Sequence, residues 1–199
     1  PFIDEFTGSS VNSLNWTYNE GGLSTTTGSG EPSSPFSLNL DRSGTGTYQY
    51  DELRSNVILL GGTIPTLQFY TNHSGVENGE ELVVEYLNVG LDWIELDRIV
   101  SDGTNPAGFT VHTYTLPANA RHNGFRLRFF TDTSETNDDW YVDNVSITEG
   151  PPPQQEPPSI GSINPPSGPT TGGTYITISG QFFSQDILIL IGGSVVDDL

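Results

Sequence analysis

The apolar residues of this chain recur at every second position over short runs, and the runs are bounded by Gly, Asn, Asp and Ser. That spacing marks a half-buried β-strand, whose successive side chains point to opposite faces. Runs at 36–41, 46–50, 53–60, 66–73, 81–88, 93–100, 109–116, 124–131 and 140–148 read as strands. In Phe125-Arg126-Leu127-Arg128-Phe129 the alternation is strict, and Glu81-Leu82-Val83-Val84-Glu85-Tyr86-Leu87 follows it closely. Apolar residues do not recur at three and four over any long window, so helices are not expected. Segment 24–34, rich in Ser, Thr and Gly, reads as a long exposed loop. Many antiparallel strands with turn-rich links predict an all-β, antiparallel β-sandwich.

One stretch breaks the pattern. Gly150-Pro151-Pro152-Pro153-Gln154-Gln155-Glu156-Pro157-Pro158 can be neither helix interior nor central strand, and is expected to be an extended spacer. It sets a domain at 1–149 apart from a segment at 159–199, with 150–158 as linker.

Composition acts mainly by exclusion. The 199 residues carry 25 acidic groups against 6 basic ones, a formal net charge of −19. The cations are all arginines: Arg42, Arg54, Arg98, Arg121, Arg126 and Arg128. Such a chain has no basic stripe to neutralise phosphates, which argues against nucleic acid as a partner. The absence of cysteine removes disulfides, thiol nucleophiles and cysteine-based metal sites. The apolar run Ile187-Leu188-Ile189-Leu190-Ile191 is far too short for a bilayer, so no membrane insertion is expected. Methionine is absent too, which suggests a processed or excised chain.

Candidate chemistry is sparse. His73, His112 and His122 have no mutual spacing of a zinc site, and His73 and His112, in expected strands, read as ordinary sheet residues. Glu95-Leu96-Asp97 resembles the opening of the Glu-x-Asp-x-x-Glu motif of laminarinase-like glycosidases, but Val100 stands where the third acid belongs. A solvent-facing Glu/Asp pair is expected there, and no enzyme. Trp140, Val142, Val145 and Ile147 form a core-facing pattern that Asp143-Asn144 interrupts. A carboxylate there is costly to bury unpaired, and a metal ion or an arginine would remove that cost. Trp16, Tyr18, Tyr48, Tyr50, Tyr70 and Trp93 are the aromatic residues available for a sugar-stacking platform.

Several of these segments, in order, carry a family resemblance. They are Ile3-Asp4-Glu5-Phe6, Leu14-Asn15-Trp16, Leu82-Val83-Val84-Glu85-Tyr86, Asp92-Trp93-Ile94-Glu95-Leu96, Leu116-Pro117-Ala118 and Asp138-Asp139-Trp140-Tyr141-Val142-Asp143-Asn144-Val145. The set resembles the β-jelly-roll module of reelin repeats and bacterial secreted proteins, related in architecture to MAM domains and carbohydrate-binding modules. The resemblance implies a non-catalytic extracellular jelly roll, often calcium-bound. It points to Asp4 and Asp143 as Ca2+ ligands, with Asp41 and Asp139 as further candidates. Backbone carbonyls and water would complete the roughly six to eight oxygens that calcium takes.

Beyond the spacer, Pro165-Pro166-Ser167-Gly168-Pro169-Thr170-Thr171-Gly172-Gly173-Thr174 and Ile176-Thr177-Ile178-Ser179-Gly180 resemble the first half of an IPT/TIG domain, an immunoglobulin-like sandwich. The glycines there suit the positive φ angles of a tight turn. Half a sandwich leaves strand edges uncovered, so either the chain is part of a longer protein or a neighbouring chain supplies strands. The function expected from both resemblances is adhesion, spacing or assembly outside the cell or at its surface. Partners would be an extracellular protein, a glycan or further copies of the chain. The alternatives are a carbohydrate-binding module of a larger secreted enzyme and a self-assembling subunit of a surface fibre or sheath.

Overall fold

A computed structural model describes residues 2–43, 50–60, 64–150, 158–183, 190–191 and 194–195, the last two pairs by backbone alone. The strand expected at 46–50, the spacer and the apolar run at 187–191 lie wholly or largely outside the described residues. The chain divides into two compact units, Pro1–Pro153 and Gln154–Leu199.

The first unit is an antiparallel β-sandwich. Its strands are β1 (Phe2–Asp4), β2 (Trp16–Glu20), β3 (Leu23–Thr25), β4 (Ser37–Leu40), β5 (Glu52–Ser55), β6 (Pro65–Ser74), β7 (Glu81–Leu87), β8 (Trp93–Val100), β9 (Thr110–Thr115), β10 (Leu127–Asp132) and β11 (Asp139–Glu149). One sheet runs β3-β4-β11-β6-β9, with β1 also paired to β11; the other runs β2-β5-β10-β7-β8. A single 3-10 turn, Ala118–Ala120, is the helical element of the described residues. No helix among them is long and apolar enough to cross a membrane.

Alternation explains why these strands pack. Leu38, Leu40, Leu67, Phe69, Trp140, Val142, Val145 and Ile147 enter the core from one sheet. Leu53, Leu82, Val84, Tyr86, Leu127 and Phe129 enter from the other. Phe69 and Phe129 meet edge to face across the sandwich, with ring centroids 5.2 Å apart. Each large side chain so buried contributes about 1.5–3 kcal/mol of transfer free energy.

Two bulges reset that alternation. On β11, Asp143 pairs with Tyr70 and Ser146 with Gln68, so β11 has one residue more than β6 between them. Asn144, at φ +50°, marks the insertion. Core-facing parity therefore passes from even positions, Trp140 and Val142, to odd ones, Val145 and Ile147. On β8, Leu96 and Asp97 together oppose Val84, while Glu95 opposes Glu85.

The second bulge corrects an expectation. Glu95 and Asp97 do not form a solvent-facing pair. Glu95 stays outside with Arg98, and Asp97 turns to accept a hydrogen bond from Tyr114 of β9, in the opposite sheet. Segment 24–34 is likewise not all loop: it contains the end of β3, and Ser33 is tied to Asp143. β1, β2 and β3 escape the alternation rule because three to five residues are too few to show it.

In the second unit, β12 (Ser159–Asn164) pairs with β13 (Thr177–Gln181), and β14 (Leu190–Ile191) pairs with β15 (Ser194–Val195). Gly172 and Gly173, in the turn between β12 and β13, both have φ +80°, a conformation that L side chains rarely adopt.

His73 and His112 are ordinary sheet residues of β6 and β9, as expected. His112 stacks on Phe69 at 5.1 Å and shares a 2.8 Å hydrogen bond with Thr71 Oγ1. Burial holds both imidazoles below the ordinary histidine value of 6.5. The unfolded chain therefore takes up these protons first. Stability is full above about pH 6.5 and falls as pH drops toward the lowered folded values. The His112→Gln variant is expected to show a shallower loss of urea midpoint between about pH 7 and pH 5; an unchanged slope would refute this assignment.

Candidate functional site

The outer face of the β2-β5-β10-β7-β8 sheet collects most of the chain's cations. Pairing register places Tyr18, Arg54, Arg128, Glu85 and Glu95 in one row across all its strands. The next row is Glu20, Glu52, Phe130, Val83 and Arg98. With Arg126, two residues before Arg128 on the same face, four of the six arginines stand here.

Aromatic rings and guanidinium groups interleave on this face. Arg54 Cζ lies 4.5 Å from the Tyr18 ring centroid and 5.7 Å from that of Trp93. Arg128 Cζ lies 4.8 Å from both the Trp93 and the Phe130 rings. Tyr50 packs on Phe130 with centroids 5.5 Å apart. β8 is three strands from β5, about 14 Å at ordinary strand spacing. The Trp93 indole must therefore lie across the sheet rather than stand on it. Each such cation–π contact is worth about 0.5–2 kcal/mol, depending on desolvation.

Carboxylates complete the network. Glu52, only 3% exposed, pairs with Arg54 and, at 3.3 Å, with Arg128. Glu85 pairs with Arg128. Arg98 is held by Glu81 and, at 2.7 Å, by Glu95. Arg128 Nε is buried without a hydrogen-bond partner among the described residues. Val83, fully buried on this outer side, gives the network an apolar floor. The face thus offers flat rings, fixed N–H donors and anionic acceptors.

Of the aromatic pool, Tyr18, Tyr50 and Trp93 come together here, while Trp16 is a core residue at 2% exposure. Tyr70 belongs to the other sheet, and Tyr48 lies outside the described residues. Phe130 and the two central arginines were not singled out from the sequence. Their signal was the cation at alternate positions of β10.

The four candidate aspartates fall into two groups. Asp4 on β1 pairs in register with Val145 of β11, beside the bulge that carries Asp143. Asp139 opens β11, and Asp41 follows β4. Positions 139 and 143 are about 13 Å apart along a strand, too far to share one ion. Asp139 accepts from Asn39 Nδ2 at 2.8 Å and from Tyr141 Oη at 3.1 Å. Asp41 accepts from the Ser43 backbone N–H.

The buried pair differs in how its oxygens are filled. Asp4 Oδ1 accepts from Phe6 N at 2.9 Å; Oδ2 accepts from Trp16 Nε1 at 2.7 Å and Asn15 Nδ2 at 3.0 Å. Asp143 is fully buried, and burial pushes its carboxyl above the usual range. Hydrogen bonds from Ser33 N at 3.0 Å and Asn144 N at 2.7 Å oppose that shift, and the nearby Glu31 adds to it. Ser33 Oγ lies 2.6 Å from Asp143 Oδ1 and 2.7 Å from the Glu5 carbonyl. A hydroxyl has one proton, so it cannot donate to both. One close oxygen–oxygen contact is left for a proton on Asp143 or a cation to relieve.

Comparisons bear on each unit. Residues 158–198 match the IPT/TIG domain family. No curated protein matches the chain. The K2 cleaved adhesin domain of Lys-gingipain is similar over 75% of this chain and 98% of its own, at 14% identity and a TM-score of 0.53. TmCBM61 in complex with β-1,4-galactotriose shows 11% identity over 72% of this chain and 99% of its own, with a TM-score of 0.47. The CBM22-1 xylan-binding domain of Paenibacillus barcinonensis Xyn10C shows 13% identity over 74% and 92%, with a TM-score of 0.46. The chain therefore combines a β-sandwich similar in fold to the adhesin domain with a segment that matches IPT/TIG.

Proposed function

We propose that the first unit is a non-catalytic extracellular module that binds glycan on the outer face of the β2-β5-β10-β7-β8 sheet. The observation that carries this is the interleaved contact set Tyr18–Arg54–Trp93–Arg128–Phe130. Aromatic faces suit the apolar C–H faces of sugar rings, and fixed guanidinium and carboxylate groups suit hydroxyls. Cleavage is a poor fit, because Glu52, Glu81, Glu85 and Glu95, four of the glutamates on the face, are tied to arginines and Asp97 faces away. Attachment to a surface polysaccharide would make this module an adhesive one, in keeping with the reelin- and MAM-type resemblance.

Calcium belongs to the proposal as a structural ion. Asp143, Ser33 Oγ and the Glu5 carbonyl form a hard-oxygen set, and the contact left without a proton is the observation that fits a cation. The ion would lock the segment before β4 and the residues after β1 to the β11 bulge.

Two experiments test these readings. Affinity electrophoresis against a panel of soluble polysaccharides is expected to find saturable retardation by at least one. Tyr18→Ala and Trp93→Ala should each weaken it about tenfold, and Arg121→Ala, whose guanidinium is held by the Leu116 carbonyl, should leave it unchanged. Retardation by none, or retardation indifferent to both aromatic changes, excludes the glycan reading. For the ion, calcium is expected to raise Tm of the wild type, and the rise should shrink in Asp143→Asn and Ser33→Ala. An equal rise in all three proteins rules out calcium at Asp143.

A further inference from the structure

Three carboxylates that the preceding sites do not use meet where two loops close together. Glu77 and Glu80 lie in the β6–β7 loop, and Asp138 ends the β10–β11 loop. One carboxylate oxygen from each lies within 4.8 Å of the other two. The loops are pressed together just beside them. Gly75, at φ +80°, comes so near Asn137 that a Cβ there would sit 2.3 Å from the Asn137 carbonyl oxygen.

Proximity of acids alone would say little. The second observation is Asp138 itself. Its side chain is fully buried, and Oδ1 has no hydrogen-bond partner among the described residues. Oδ2 already accepts from Glu135 N at 2.6 Å, which leaves Oδ1 as the oxygen available to the glutamates' side. A buried carboxylate oxygen with nothing to accept is a destabilising feature unless something outside the chain satisfies it. Glu80 is pre-positioned for the same role. Its Oε1 accepts from Ser134 N at 2.6 Å and its Oε2 from Glu77 N at 3.0 Å, so one glutamate spans both loops. Each of those oxygens keeps a second lone pair.

We propose that Glu77, Glu80 and Asp138 form a calcium site that clasps the β6–β7 loop to the β10–β11 loop. All its protein ligands are hard anionic oxygens, which select Ca2+ over softer-liganded transition metals. Exposed Glu77 leaves an open side for water to complete the shell. The site is separate from Asp143, which lies about 16 Å further along β11 at ordinary strand rise. It does not rest on the glycan reading.

The test is calcium titration of the full chain by isothermal calorimetry, with Asp143→Asn as background so that its proposed ion is absent. Adding Glu77→Gln and Glu80→Gln to that background is expected to abolish one equivalent of calcium uptake. Asp138→Asn should do the same, and the glutamine pair keeps the test valid if that buried change fails to fold. Restoring Asp143 in the glutamine variant should return only the ion proposed at Asp143. Equal stoichiometry and affinity with and without the glutamine pair, or no calcium uptake by the Asp143→Asn background, overturns the proposal.

Discussion

Strand β11 is the constraint on which the first unit depends. One edge pairs with β6, and the other pairs first with β4, through Trp140–Val142, and then with β1, through Val145–Ile147. A regular strand could not satisfy both halves, because its core parity would fail beyond Val142. The extra residue at Asn144 restores parity at the cost of a positive φ and an interrupted ladder. The interruption falls where β4 gives way to β1, so Asp143 stands in a gap between collinear strands. Ser33 reaches into that gap from the segment between β3 and β4.

A second constraint is the scarcity of positive charge. A formal charge of −19 with six cations leaves most carboxylates without a counter-ion, and self-repulsion opposes compactness. The fold places four of those cations on one sheet face. Like charges gathered this way need intervening anions and rings, and Glu52, Glu85 and Trp93 supply them. Arginine suits the task better than lysine, since its planar fork can stack on a ring and pair with a carboxylate at once. An acidic chain that needed only solubility would have no reason to concentrate its cations so.

Much of the fold was legible because half-buried antiparallel strands announce themselves by alternation. β6 to β10 and the core faces of β11 follow directly from it. The interruption at Asp143-Asn144 was visible too, although only pairing shows it to be an inserted residue. What stayed hidden depended on long-range partners. The bulge at Leu96-Asp97 has no local mark, so two acids that look cofacial in sequence part company in the sheet. Phe130 reads as one more apolar residue until Arg128 is seen against it. Glu77 and Asp138 are distant along the chain, and no spacing rule connects them.

These particulars bear on where function can sit in a sandwich. Core faces are committed to packing, and the outer face of a central strand is ordinarily a plain solvated surface. Here the outer face is half-buried by its own side chains, with Val83 beneath them and Trp93 lying across. Ordering long arginine side chains against rings costs rotamer entropy that a solvated face avoids. That cost is repaid in the free chain only in part by cation–π and ion-pair terms, which are modest where water still reaches. A face pre-ordered in this way would lose less entropy on meeting the flat, hydroxyl-rich partner proposed above, so the same groups that cost stability in isolation would favour that binding. Rigidity of the surrounding loops then matters as much as the face itself. Asp143, fully buried, ties the Ser33 segment to β11 from below, and Asp138, equally buried, holds its own loop through the Glu135 backbone N–H.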